Sequence, residues 1–219
     1  MKDLKSSFKY MFQSSRLKYL LLFGGIFSGL LSVLVSLRSG TLEQLGVPEQ
    51  YFGIIFAVLG MVSGISAKNQ NRIHNRYRNQ TLGFLAIPTT ISCMVIGFAM
   101  LGNLSYPIAV SIILIAFFIQ YIAKGPFYTL IRRYLNNFTT TSLRNKISYS
   151  YNLSESLMRA LIAFLASGLL RITTPSNTVL FIGCILTIIT VLLLDKMRKK
   201  VGLKPEEYPK KDIEFLEIK

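Results

Sequence analysis

LKYLLLFGGIFSGLLSVLVSL, residues 17–37, holds one charged side chain, Lys18, in 21 positions. A helix crosses a hydrocarbon core of about 30 Å with roughly 20 predominantly apolar residues, so this stretch is long enough to span a bilayer. It follows a basic leader, as the core of a signal peptide would, but such cores run to only about 7–15 residues. Residues 17–37 therefore read as a first, retained span, and the rest of the chain is to be read in a membrane.

Five more segments fit that setting: residues 51–67, 82–101, 107–123, 147–170 and 178–194. The composition agrees. With 51% hydrophobic and 16% charged residues in 219, and a mean hydropathy of +0.45, the chain is too apolar for an ordinary soluble domain. The expected fold class is an all-α integral membrane protein of six transmembrane helices. Residues 1–16 form a basic cytoplasmic leader, 17–195 the membrane domain and 196–219 a cytoplasmic tail. That tail, with Pro205 and Pro209 among mixed charges, reads as a surface segment.

A net charge of +15 would point to nucleic acid in a soluble protein. Its distribution points elsewhere. With the N-terminus inside, the cytoplasmic side receives Lys2, Lys5, Lys9, Arg16 and Lys18, then Lys68, Arg72, Arg76 and Arg78. It also receives Lys124, Arg132, Arg133, Arg144 and Lys146, and eight more in the tail, altogether 22 of the 25 Lys and Arg. The other side has Arg38 and Arg171, and Arg159 lies within a span. Such asymmetry obeys the positive-inside rule and puts both termini in the cytoplasm. The expected partners are a lipid bilayer and a small-molecule substrate, with no nucleic acid. The expected location is the plasma (inner) membrane. Tyr19, Tyr51, Tyr106, Tyr121 and Tyr128 fall near span ends, where amphipathic rings favour the headgroup layer.

Enzyme chemistry finds little support. His74 is the sole histidine, Cys93 and Cys184 lie inside spans, and no His/Cys/Glu group has metal-ligand spacing. No phosphate-binding loop or dinucleotide fingerprint occurs, so no catalytic residue, metal or cofactor is expected. His74 reads as a solvated loop residue.

The fifth span is the exception to the apolar pattern, because it carries Asn152, Glu155 and Arg159 among Tyr151, Ser154 and Ser156. An ionisable group at the bilayer centre costs on the order of 2.5–3.5 kcal/mol, so two of them need a reason. Glu155 and Arg159 stand at i and i+4 and can neutralise each other within the bundle. Alternatively, both face a water-filled cavity, Arg159 attracting an anionic group and Glu155 carrying a proton or pairing with a cation. Around them, Gly25, Ser28, Gly29, Ser32 and Ser36 form a small, mildly polar stripe on span one, which suits either helix packing or a cavity wall. Gln120 on span four can line a cavity or make an interhelical bond. Gly125 and Pro126 predict a kinked end to span four. Gly60, Gly64, Lys68, Arg72 and Arg76 recur every four residues. If helical they share a face, with glycines for close packing and basic side chains that snorkel to headgroups.

Three stretches carry a family resemblance. SSFKYMFQSSRLKYLLLF (residues 6–23) resembles the end of the central cytoplasmic loop of major facilitator superfamily transporters entering the seventh helix. LGVPEQYFGIIFAVLGMVSGISAKNQNRIHNRYRNQTLGFL (45–85) is similar to their outer loop, eighth helix, basic loop and ninth helix. KGPFYTLIRRYLNNFTTTSLRNKISYSYNLSESL (124–157) looks like their tenth-to-eleventh connection. The resemblance implies the C-terminal six-helix half of such a transporter, a three-plus-three inverted repeat, and secondary-active transport by alternating access. It also implies a partner: an N-terminal six-helix half or a second copy. The pattern departs from the family at Lys68, where an acidic residue belongs, so the family's charge relay does not carry over to this loop. Two other readings of six such spans are a non-transporting subunit for assembly or regulation, and the membrane domain of an ATP-driven transporter.

Overall fold

The structure is a computed structural model that describes residues 12, 14–102, 104–139 and 144–203. The leader through residue 11, with Lys2, Lys5 and Lys9, and the tail beyond residue 203 lie outside the described residues. Those described form an all-helical chain without strands. Its α-helices are α1 (Ser15–Gln44), α2 (Phe52–Lys68), α3 (Gln70–Tyr77), α4 (Thr81–Leu101), α5 (Tyr106–Asn137), α6 (Arg144–Leu170) and α7 (Pro175–Arg198). Six segments are long and apolar enough to cross a membrane, the third of them, Gln70–Leu101, joining the short polar α3 to the apolar α4. The chain is compatible with a multi-pass membrane protein to that extent.

The long helices form an arc, in spatial order α6, α1, α7, α4, α5, α2. Glycines set its closest approaches. On α1, Gly25 faces Met158 and Gly29 faces Ile162 of α6; a Cβ at Gly29 would stand 2.6 Å from the Ile162 Cδ1. Between α7 and α4, Gly183 lies against Cys93. Phe23 and Phe27 of α1 then meet Phe127 of α5 edge to face, at 6.2 and 4.7 Å between centroids, which draws the two sides of the arc together. The ends of the arc, α2 and α6, share no extensive contact. They are also the barest: Ile54, Met61 and Ile65 on α2, and Leu157, Leu161 and Phe164 on α6, are exposed, as suits surfaces that meet lipid or another chain.

Helix ends differ from the hydropathy reading in two places that matter. The first helix runs on to Gln44, because nothing breaks it before Gly46, which turns the chain at φ +82°, and Pro48. Arg38 thus sits within a helix rather than in a connecting loop. Helix α5 likewise continues through Gly125 and Pro126 to Asn137, which puts Lys124, Arg132 and Arg133 inside it. Proline within a membrane helix is tolerated where neighbours satisfy the freed backbone group. Gly125 is needed for packing: a Cβ there would collide with the Ser63 carbonyl oxygen of α2.

The basic stretch after α2 is helical but not one continuous face. The chain turns at Asn69, leaving Lys68 on α2 and Arg72 and Arg76 on α3, all exposed. Gly60 and Gly64 have no atom outside their own helix within 4 Å of a Cβ position, so they mediate no packing inside this chain. His74 is buried, not solvated. Its Nδ1 lies 2.7 Å from the Tyr134 hydroxyl, and Arg133 donates to the Asn71 side chain at 2.9 Å, so α3 is tied to the end of α5.

Candidate functional site

Ser28 occupies the point where α1, α5 and α6 converge. It is fully buried, at the middle of α1, and small enough for α6 to approach because Gly25 and Gly29 flank it on the α6 side. Its Oγ donates to Glu155 Oε1 at 2.5 Å and accepts from Arg159 Nε at 2.9 Å; the Tyr128 hydroxyl lies 3.3 Å away. One hydroxyl therefore uses its proton and both lone pairs on three side chains from two helices.

The two charges of α6 are themselves paired: Arg159 Nη2 donates to Glu155 Oε1, one helical turn away. This pair does not simply close on itself. Glu155 has a side chain only 10% exposed, whereas that of Arg159 is 41% exposed and its guanidinium stands 5.7 Å from the Tyr128 ring centroid. Glu155 thus anchors the pair in the bundle and Arg159 presents it to the concave side. Asn152 and Ser156 are exposed and fall on the same side of α6 as Arg159, by their three- and four-residue spacing. The apolar residues Leu157, Leu161 and Phe164 point elsewhere.

Further along the same groove are two cations that hydropathy assigns to loops. Arg38 of α1 is 8% exposed, lies 3.7 Å over the Phe56 ring of α2 and donates through Nη1 to the Tyr121 hydroxyl of α5. Lys124 places its Nζ 5.0 Å from the same Tyr121 ring, on which Arg38 also stands at 5.1 Å. Ten residues of helix separate Ser28 from Arg38, about 15 Å at roughly 1.5 Å per residue. The polar groups therefore run along the groove in the order Glu155 and Arg159, Ser28, Tyr128, Lys124, Tyr121, Arg38. Tyr121 and Tyr128 both belong to this line.

Other candidates lie elsewhere. Gln120 is 3% exposed and its amide is taken up by an interhelical bond, donating to Ser92 of α4 at 3.1 Å. Ser32 is half-buried, and its carbonyl accepts from Ser36 at 3.2 Å. A cavity of about 510 Å³ lies away from the polar line, between α4 and α7 at the basic end, and is lined by Tyr77, Phe84, Asp195 and Arg198 among others. No group of three or more His, Cys, Asp and Glu able to hold a metal is present among the described residues.

Arg38, Lys124, Tyr121 and Phe56 are absent from the sequence-based candidates. Their signal is continuity of helix past the first charge, up to the Gly46–Pro48 breaker in α1 and the Asn136–Asn137 pair in α5. Comparison with known proteins returns no match: no family model, curated protein or solved structure aligns with this chain.

Proposed function

We propose that the chain is one six-helix half of a secondary-active transporter that moves a small solute by alternating access, with both termini cytoplasmic in the plasma membrane. One observation carries the reading. A hydrogen-bonded ion pair, Glu155 and Arg159, is held at the middle of an apolar bundle by a serine of a second helix and is turned toward a groove instead of being sealed in it. Intramembrane charges are expensive and, where present, mark solute or ion pathways. Transporter halves of this kind enclose their site at the midplane between two repeats, which fits an arc whose end helices, α2 and α6, each pack chiefly on a single neighbour, α5 and α1, and leave their other side uncovered within the chain. The resemblance to the C-terminal half of major facilitator superfamily transporters supports the same reading.

The bareness of α2 and α6 equally favours a second reading, a membrane subunit that assembles with another protein and transports nothing. Glu155→Gln separates the two. In vesicles holding the assembled protein, the substitution is expected to cut solute flux about tenfold or more while membrane insertion is unchanged. Unaltered flux would remove Glu155 from the pathway and favour the subunit.

A further inference from the structure

We infer that the solute is an oxyanion, a small organic carboxylate, phosphate or sulfonate, received between Arg38, Lys124 and Arg159. The inference rests on the transporter reading and adds the sign and class of what the groove takes.

The charge balance of the groove is the first ground. Among the described residues the acids are Glu43, Glu49, Glu155 and Asp195. Glu43 and Glu49 belong to the end of α1 and the turn after it, and Asp195 lines the cavity at the basic end. Glu155 alone stands in the groove, and it is already engaged by Arg159 and Ser28. Arg38 and Lys124 are left without a carboxylate, and Lys124 is within Coulombic reach of both Arg38 and Arg159. A surplus of two cations among closely packed helices is costly, and a bound anion removes that cost.

Hydrogen-bond chemistry is the second ground. Arg38 is more than nine-tenths buried, and its Nε has no partner. Its Nη1 is held by Tyr121 and its plane by the Phe56 ring, so the guanidinium is fixed in orientation with a donor edge unused. An unused planar donor edge matches the paired oxygens of a carboxylate, phosphate or sulfonate. The neighbouring Lys124 supplies a mobile point charge from the next helix. A cationic solute finds one carboxylate, already paired, and meets three like charges.

The test is a ligand-induced shift in thermal unfolding of the purified full chain in detergent at constant ionic strength, read by exposure of the buried Cys93 thiol. The probes are benzoate, phenyl phosphate and, as the cation of similar shape, benzyltrimethylammonium. Saturable stabilisation by at least one anion and none by the cation is expected. Its half-saturating concentration should rise about tenfold or more in Lys124→Gln and return in Lys124→Arg, in line with loss of one charge-assisted contact. Arg38→Lys, which keeps the charge and loses the fork, provides a second variant of the same direction. No stabilisation by either anion, stabilisation by the cation, or an anion effect indifferent to Lys124→Gln would overturn the inference. Stabilisation obtained only on moving from phosphatidylcholine to phosphatidylglycerol nanodiscs would assign the oxyanion to a lipid and overturn the solute. None of these results depends on flux: anion binding without transport would sink the transporter reading alone, and transport without anion binding would sink this one alone.

Discussion

Replacing Ser28 with alanine removes a single hydroxyl and, on this structure, three interactions. Glu155 loses its 2.5 Å donor, Arg159 Nε loses its 2.9 Å acceptor, and the Tyr128 hydroxyl loses its neighbour at 3.3 Å. Hydrogen bonds to charged groups contribute about 1.5–3 kcal/mol each in soluble proteins. Between membrane helices the measured average is nearer 0.6 kcal/mol, with a maximum near 1.7, because the separated helices find other partners. The Glu155–Arg159 contact also survives the substitution. The membrane scale governs, and two bonds at or somewhat above its average give a loss of about 1–2 kcal/mol. For a chain of this size that lowers the unfolding midpoint by roughly 2–8 °C, at about 2–4 °C per kcal/mol. The assay is thermal unfolding in detergent of the parent, Ser28→Ala, Glu155→Gln and the double variant. The double-variant cycle should return a coupling of about 0.5–1.5 kcal/mol, the range seen for residues in one network. A midpoint unchanged by Ser28→Ala together with additive effects would show that Ser28 does not bridge the helices, and the site would lose its centre.

Gly125→Ala should destabilise by about 1–3 kcal/mol through the clash with the Ser63 carbonyl, whereas Gly60→Ala, which meets nothing, should be neutral or stabilise by up to about 1 kcal/mol; unfolding midpoints of the pair check this. Gln120→Leu should cost less than about 1.5 kcal/mol and leave any anion response intact, because Ser92 keeps its own 2.7 Å bond to the Thr89 carbonyl. His74, in the basic loop helix outside the spans, is held below its ordinary value of 6.5 by burial and by Arg133 and Arg78. The unfolded chain therefore binds the proton first, so the stability this residue contributes is full above about pH 6.5 and declines as pH falls through that value toward the lower folded one. Unfolding midpoints between pH 5 and 8 should show this decline in the parent and less of it in His74→Gln.

Hydropathy makes the six spans legible because each must keep about 20 apolar side chains against lipid. Glu155 and Arg159 are legible for the converse reason, as charges where the pattern forbids them. Arg38 and Lys124 are not, because counting charges by side treats the first cation after an apolar run as its boundary, whereas the backbone ladder continues until Gly46 and Asn137 end it. Ser28 is visible as one member of a small-residue stripe. Its position between two charges depends on how closely α6 approaches α1, which Gly25 and Gly29 decide. Gln120 shows the limit from the other side: a polar residue in a span, and the rotation of α5 alone determines that it bonds Ser92 and not a solute. His74 misleads because a polar, basic stretch reads as solvated until α3 folds back on Tyr134.

The central claim is that the polar line beside Ser28 opens to water alternately at the two faces of the membrane. Ser156 lies on the groove side of α6, exposed and next to Glu155, and cysteine is close to it in size. With Cys93 and Cys184 replaced by serine, Ser156→Cys should react with a charged, membrane-impermeant thiol reagent applied to right-side-out vesicles and, separately, to inside-out vesicles, at comparable rates. Reaction from one side only, or from neither, in the assembled protein would contradict alternating access and leave a static membrane subunit.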